Sequence, residues 1–189
     1  MQKIFTLSVA LLLIINFSYG QLLSKITPPN PFAQSLSAII ENYQNNYFAI
    51  QGEALPPDQD RDIYKSTIGL PGASSCVIFR FHSAEDTTAS WQAVLYNGED
   101  FNEASRVYKN SFKYLKQTKF KEGIKSNSFE GSLETPTEYL KFTSSILRPA
   151  VYTEGYKNFM AEIEMINTID GWTVQLSLHS RKADTERYQ

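Results

Sequence analysis

Seven short runs constrain what this chain can fold into. They are IYKSTIGL (63–70), SCVIFRFH (75–82), SWQAVLYN (90–97), NSFEGSLE (127–134), YLKFTSSIL (139–147), NFMAEIEMI (158–166) and WTVQLSL (172–178). Each alternates in period two or stays apolar, is rich in β-branched or aromatic residues, and is bounded by turn formers, which is the pattern of a strand. The last two are joined by a link centred on Asp170-Gly171, a strong hairpin signal.

Two stretches carry a helical period instead. In FAQSLSAIIENYQNNYFAI the apolar residues at 32, 36, 39, 40, 43, 47 and 50 are spaced by three and four, giving one helical face. Asn30 offers a cap, Pro31 suits the first helical position, and Gly52 is a natural stop, with LPPDQDRD as the loop beyond. The second helix opens after Asn97-Gly98. Asp100 caps it with Glu103 three places on, and Phe101, Ala104, Val107, Tyr108, Phe112 and Leu115 line one face.

The order is therefore α-β-β-β-α-β-β-β-β, with no parallel α/β alternation. It predicts an α+β fold over residues 32–180: an antiparallel sheet of about seven strands with two helices on one face. The order admits a worn duplication into two αβββ-like halves, with Pro71 against Pro136 and Phe79 against Phe142 at offsets of 65 and 63 positions. A polar tail, 181–189, ends the chain.

The segment before the first helix reads as a targeting signal. Lys3 precedes an apolar run from Ile4 to Ile15, and Ser18 and Gly20 stand where small residues precede a cleavage site. The run is short against the ~20 residues of a membrane span. Residues 1–20 are thus a predicted secretory signal peptide cut after Gly20. Residues 21–31, with three prolines, form a linker. This style is similar to that of exported proteins of Gram-negative bacteria, placing the mature chain in the periplasm or outside the cell. No membrane-spanning segment is expected after cleavage.

Charge excludes some partners. The chain has 18 basic and 20 acidic residues, and removing the leader takes away only Lys3. Nucleic acid is not an expected partner, because duplex binding needs a concentrated basic surface. A single cysteine, Cys76, forbids an intramolecular disulfide, so stability rests on a core supplied by 12 Phe, 11 Tyr and 2 Trp.

Candidate chemistry is sparse. GLPGASSC (69–76) holds two glycines, a proline and the cysteine, but it lies between two strands. A phosphate cradle needs its glycines ahead of a helix, and a nucleophile elbow needs Gly-x-Ser-x-Gly, so the segment reads as a turn. Cys76 and His82, six positions apart on one strand, stand ~20 Å apart at ~3.3 Å per residue. A Cys76–His179 pair stays open, beside the reading of Cys76 as a buried small hydrophobe. Asp58, Asp60 and Asp62 mimic the start of a calcium loop, but Ile63 and Gly69 occupy positions that require glycine and glutamate. No zinc spacing is present. No metal or cofactor is expected.

Arg80 and His82 share a strand face that is less apolar than its opposite, and they are the candidate binding residues, for an anionic group that suits the arginine fork. Glu162 and Glu164 share one face of a strand and are candidates for acid–base work with His82 or His179, although strand alternation alone makes them a solvent face. Tyr47 and Tyr114 sit at the edges of their helical stripes, where an exposed tyrosine marks a contact surface. Ala33, Ala104, Gly131 and Ala161 leave room for a small cavity.

Three functions follow. The favoured one is an exported, non-catalytic binding or adaptor domain for an unknown protein, peptide or glycan, because catalytic groups are scarce. The alternatives are a carrier of an apolar small molecule and a hydrolytic enzyme with a sparse His/Glu site.

Overall fold

The computed structural model describes residues 30–58, 60–81 and 88–181. The predicted signal peptide, most of the linker, His82 and the tail from 182 lie outside the described residues. The chain divides at Asn30, and the unit from Pro31 onward is the folded domain.

The domain is α+β, as the pattern predicts. Among the described residues two helices, α1 (Pro31–Glu41) and α2 (Phe101–Gln117), accompany ten strands. These are β1 (Gln51–Asp58), β2 (Arg61–Ser66), β3 (Ser75–Phe81), β4 (Ser90–Gly98), β5 (Phe120–Glu122), β6 (Lys125–Asn127), β7 (Phe129–Gly131), β8 (Phe142–Pro149), β9 (Phe159–Thr168) and β10 (Gly171–Ser180). Eight form one sheet in the order β1-β2-β3-β4-β10-β9-β8-β7, every pair antiparallel. β5 and β6 make a separate hairpin.

The sheet consists of two meanders joined at its centre. Each is preceded by a helix, and their last strands, β4 and β10, pair antiparallel with Leu178 opposite Trp91. Each half of the sheet is thus a four-strand meander that follows a helix. The residues matched in the sequence do not fall on corresponding strands of the two meanders. Phe79 lies on β3, third in its meander, whereas Phe142 lies on β8, second in its own.

The first helix stops at Glu41, well short of Gly52. Two 3-10 turns follow, and between them Asn46 and Tyr47 take left-handed φ values of 52° and 58°, which ends any helical run. The chain then enters β1 directly, so of the predicted loop at LPPDQDRD, residues 55–58 are strand β1 and residues 61–62 begin β2. Pro56 and Pro57 fit there because β1 is an edge strand and its ladder with β2 shifts register between Leu55 and Asp58. Arg61 closes the β1–β2 turn on Asp58 at 2.6 Å.

Helix α2 begins as predicted: the Asp100 carboxylate accepts the amides of Asn102 and Glu103 at 2.7 and 3.1 Å. The β9–β10 hairpin turns at Asp170-Gly171. Gly171 has φ 108°, and a side chain there would start 2.6 Å from the Gly98 carbonyl.

The core lies between the helices and the sheet. Leu36, Ile39 and Ile40 of α1 and Ala104, Tyr108 and Leu115 of α2 pack with Trp91, Ala93, Ile163, Met165, Val174, Leu176 and Leu178, all fully buried. Tyr108 Oη and Ser145 Oγ meet at 2.6 Å inside this layer. Tyr47, expected at an edge, is fully buried, and its hydroxyl donates to the Leu178 carbonyl at 3.4 Å. Tyr114 packs on Phe32 with ring centroids 5.1 Å apart. The room expected at Gly131 is filled, since a side chain there would collide with the Ile146 and Leu147 backbone.

Candidate functional site

The sheet face opposite the helices carries an interlocked polar cluster. Alternation dictates it. Trp172, Val174, Leu176 and Leu178 point to the core, which sends Thr173, Gln175, Ser177 and His179 to the other side. Hairpin register sets Gln175 opposite Glu164 and Ser177 opposite Glu162. Strand β8 then brings Ser144 opposite Glu164 and Ile146 opposite Glu162.

The side chains interlock. Ser144 Oγ donates to Glu162 Oε1 at 2.5 Å, Gln175 Nε2 donates to Glu164 Oε2 at 2.5 Å, and Gln92 Nε2 donates to Ser177 Oγ at 3.3 Å. His179 Nε2 stands 3.5 Å from Glu162 Oε2, outside hydrogen-bond geometry, and is a buried atom with no hydrogen-bond partner. The His179 and Glu162 side chains are only 25% and 15% exposed, so the expected solvent face is half-buried.

Burial sets the titration of this cluster. It pulls the His179 pKa below 6.5; Glu162 opposes the shift and Arg181 and Arg148 reinforce it. It pushes the Glu164 pKa above 4.5; the Gln175 hydrogen bond opposes, and the Glu162 charge adds to the rise. The imidazole of lowered pKa stands beside Glu162, while the carboxyl of raised pKa, Glu164, lies farther along the hairpin, opposite Gln175. The order of contacts is Ser144–Glu162–His179, with the carboxylate in the middle. A nucleophile relay places the imidazole between hydroxyl and carboxylate, so Ser144 is not activated by His179 here.

Exposed apolar side chains flank the cluster along β8. Phe142 is 53% and Ile146 38% exposed on the same face as Glu162 and Glu164, and Tyr139 and Leu140 are exposed where the chain enters the strand. Nothing in the sequence distinguishes these residues from core positions, because β8 reads as an ordinary strand. The position of His179 beside Glu162 could have been found by counting back from Asp170-Gly171 along the hairpin.

The other predicted site residues lie elsewhere. Arg80 points to the helix side of the sheet. Its Nε donates to Gln51 Oε1 at 2.7 Å, its Nη2 to the Asn46 carbonyl at 2.8 Å, and its guanidinium lies 3.8 Å from the Phe48 ring centroid. Burial lowers its pKa. The arginine thus holds the left-handed link after α1 onto β3. His82 lies outside the described residues.

Cys76 also faces the helix side and packs against the core, whereas His179 is on the opposite face, so the two do not meet. Cys76 Sγ accepts the Leu70 amide at 3.5 Å, and burial pushes its thiol pKa up, against the pull of that hydrogen bond. GLPGASSC is a turn between β2 and β3, closed by Ala73 N–H to the Leu70 carbonyl at 3.1 Å with Gly72 at φ 84°. No group of acidic, His or Cys side chains among the described residues is arranged to hold a metal ion. No helix among them is long and apolar enough to cross a membrane.

Comparisons with known proteins find no match to this chain among protein-family models, curated proteins or solved structures.

Proposed function

We propose that the protein is an exported, non-catalytic binding domain that docks another protein on the sheet face opposite the helices. One observation carries this reading: the exposed strip Tyr139, Leu140, Phe142 and Ile146 runs beside the half-buried polar cluster of Glu162, Glu164 and His179. Aromatic and aliphatic anchors next to mostly satisfied polar groups are the anatomy of a protein interface. The carboxylates select the partner's chemistry: apolar side chains for the strip, with hydrogen-bond donors or basic groups at its margin. Export follows from the leader-like pattern of residues 1–20.

The test is site-specific photocrosslinking of the full chain in the envelope. Phe142→benzoylphenylalanine is expected to give one discrete adduct that is lost when Ile146→Asp is added. The same photoreactive residue at Asn110, on α2, is expected to give none. Equal adducts from both sites would overturn the proposal.

A hydrolytic reading draws on the juxtaposition of His179, Glu162 and Glu164. Hydrolysis of a nitrophenyl ester, glycoside or phosphate that His179→Gln abolishes would replace the binding reading.

A further inference from the structure

Three buried polar side-chain atoms among the described residues have no hydrogen-bond partner: His179 Nε2, Glu122 Oε2 and Thr153 Oγ1. The last two belong to residues lining one groove of about 540 Å³, at the end of β8 remote from Tyr139 and Leu140. The β5–β6 hairpin forms one wall with Glu122, Ile124 and Lys125. The β8–β9 connection forms the other with Tyr152, Thr153 and Glu154. That volume falls in the ~300–1,000 Å³ range of small-ligand sites.

The acidic floor is built rather than incidental. Gln44, in the 3-10 turn after α1, donates to Glu122 Oε1 at 3.3 Å. Gly155 faces this pair, and a side chain there would make the ends of Gln44 and Glu122 move aside. Three separate segments therefore converge to hold one carboxylate, and its second oxygen is left without a donor. A buried carboxylate oxygen without a partner is costly, and native structures supply one.

The rim fits a cation with an apolar body. Tyr152 is 73% exposed and Ile124 fully so. The Tyr152 hydroxyl donates to Glu154 Oε2 at 3.1 Å, which anchors the ring at the rim, while Glu154 is also paired with Lys157 at 2.8 Å. An aromatic face beside a carboxylate attracts an organic ammonium twice, through its charge and through the ring quadrupole. Among the described residues no cation is paired with Glu122, and Lys125, opposite it in the hairpin register, is exposed.

We infer that the groove between the β5–β6 hairpin and the β8–β9 connection binds a primary ammonium compound with an apolar body. The ammonium meets Glu122 and Thr153, and the body lies against Tyr152 and Ile124. This site is separate from the β8 strip and does not depend on the docking function.

The test is ¹H–¹⁵N NMR titration of the mature chain with 2-phenylethylammonium and n-butylammonium, against 3-phenylpropionate and 2-phenylethanol. Both ammonium probes are expected to shift the amides of 122–125 and 152–155 saturably, the aromatic one more tightly. The anion and the alcohol are expected not to saturate. Glu122→Gln is expected to weaken binding at least about tenfold, as the loss of a charge-assisted hydrogen bond dictates, with the remaining spectrum unchanged. Should that variant fail to fold, Tyr152→Ala serves instead, with a several-fold loss for both ammonium probes that is larger for the aromatic one. No saturable shift with either ammonium, equal binding of the alcohol, or undiminished binding by a folded Glu122→Gln would overturn the inference.

Discussion

Tyr108 of α2 and Ser145 of β8 bring their hydroxyls to 2.6 Å in the buried layer, and Ser145 Oγ also accepts the Glu134 amide at 2.8 Å. This chain fastens three segments: the second helix, an outer strand of its meander, and the connection that leads to it. Burial, the largest influence, pushes the Tyr108 pKa up against the Ser145 hydrogen bond, so the phenol stays protonated and can donate. Tyr108→Phe is expected to cost about 1–2 kcal/mol, because a buried partner is left incompletely satisfied. Ser145→Ala is expected to cost a similar amount, and the double variant less than the sum. Urea unfolding of the four proteins checks this, and strict additivity would contradict the coupling.

Arg80 acts as a structural clamp. Arg80→Lys keeps the charge but loses the fork to Gln51 and Asn46 and the stacking on Phe48. The expected loss is about 1–2 kcal/mol, together with faster hydrogen exchange across residues 43–51. Unchanged exchange in that segment would show that the link after α1 is held by other groups.

Removing the Asp100 cap is expected to destabilise the domain by about 0.5–2 kcal/mol in Asp100→Ala and much less in Asp100→Asn, which retains an acceptor. Thermal unfolding monitored by circular dichroism distinguishes the two, and equal losses would argue that charge matters more than capping.

Acid should weaken the fold through His179. Its native pKa lies below the unfolded 6.5, so between those values the unfolded chain holds the extra proton. Its contribution is complete above 6.5 and is lost as pH falls toward the native value. Glu164 has the opposite sign: its native pKa lies above 4.5, so its contribution is present below 4.5 and is lost as pH rises through the native value. Urea midpoints measured from pH 7.5 to 4 are expected to fall less steeply below pH 6.5 in His179→Gln. In Glu164→Gln they are expected to fall more steeply on acidification. Parallel curves for both variants and the parent would remove the sheet-face cluster from any role in acid sensitivity.

Local chemistry made some elements legible. The Asp100–Glu103 spacing announced α2, and Asp170-Gly171 announced the β9–β10 hairpin, because each rests on contacts within a few residues. Other features depend on distant partners. The prolines at 56 and 57 disguise β1, which is a strand only because it lies at the sheet edge. Predicted strand 127–134 shortens to Phe129–Gly131, where β8 supplies a ladder partner, and its first residue ends β6. The eighth strand of the sheet and the β5–β6 hairpin were missed for the same reason. At the site, alternation separated the polar and apolar faces of β10, yet the half-burial of Glu162 and His179 is a property of three adjacent strands. The groove beside Glu122 joins residues 122–125 to 152–154, and no local signal connects them.

The central β4–β10 seam has a consequence for how the molecule is made. Trp91 and Leu178, paired across it, are 87 positions apart, so a ribosome finishes the first meander long before its mate exists. Until then β4 presents an open ladder whose natural complement has not been synthesised. Closing that long loop is an entropic cost that short-range pairings do not carry. A second unfinished chain nearby carries the same bare edge, so a first meander that folds ahead of its mate invites pairing between copies.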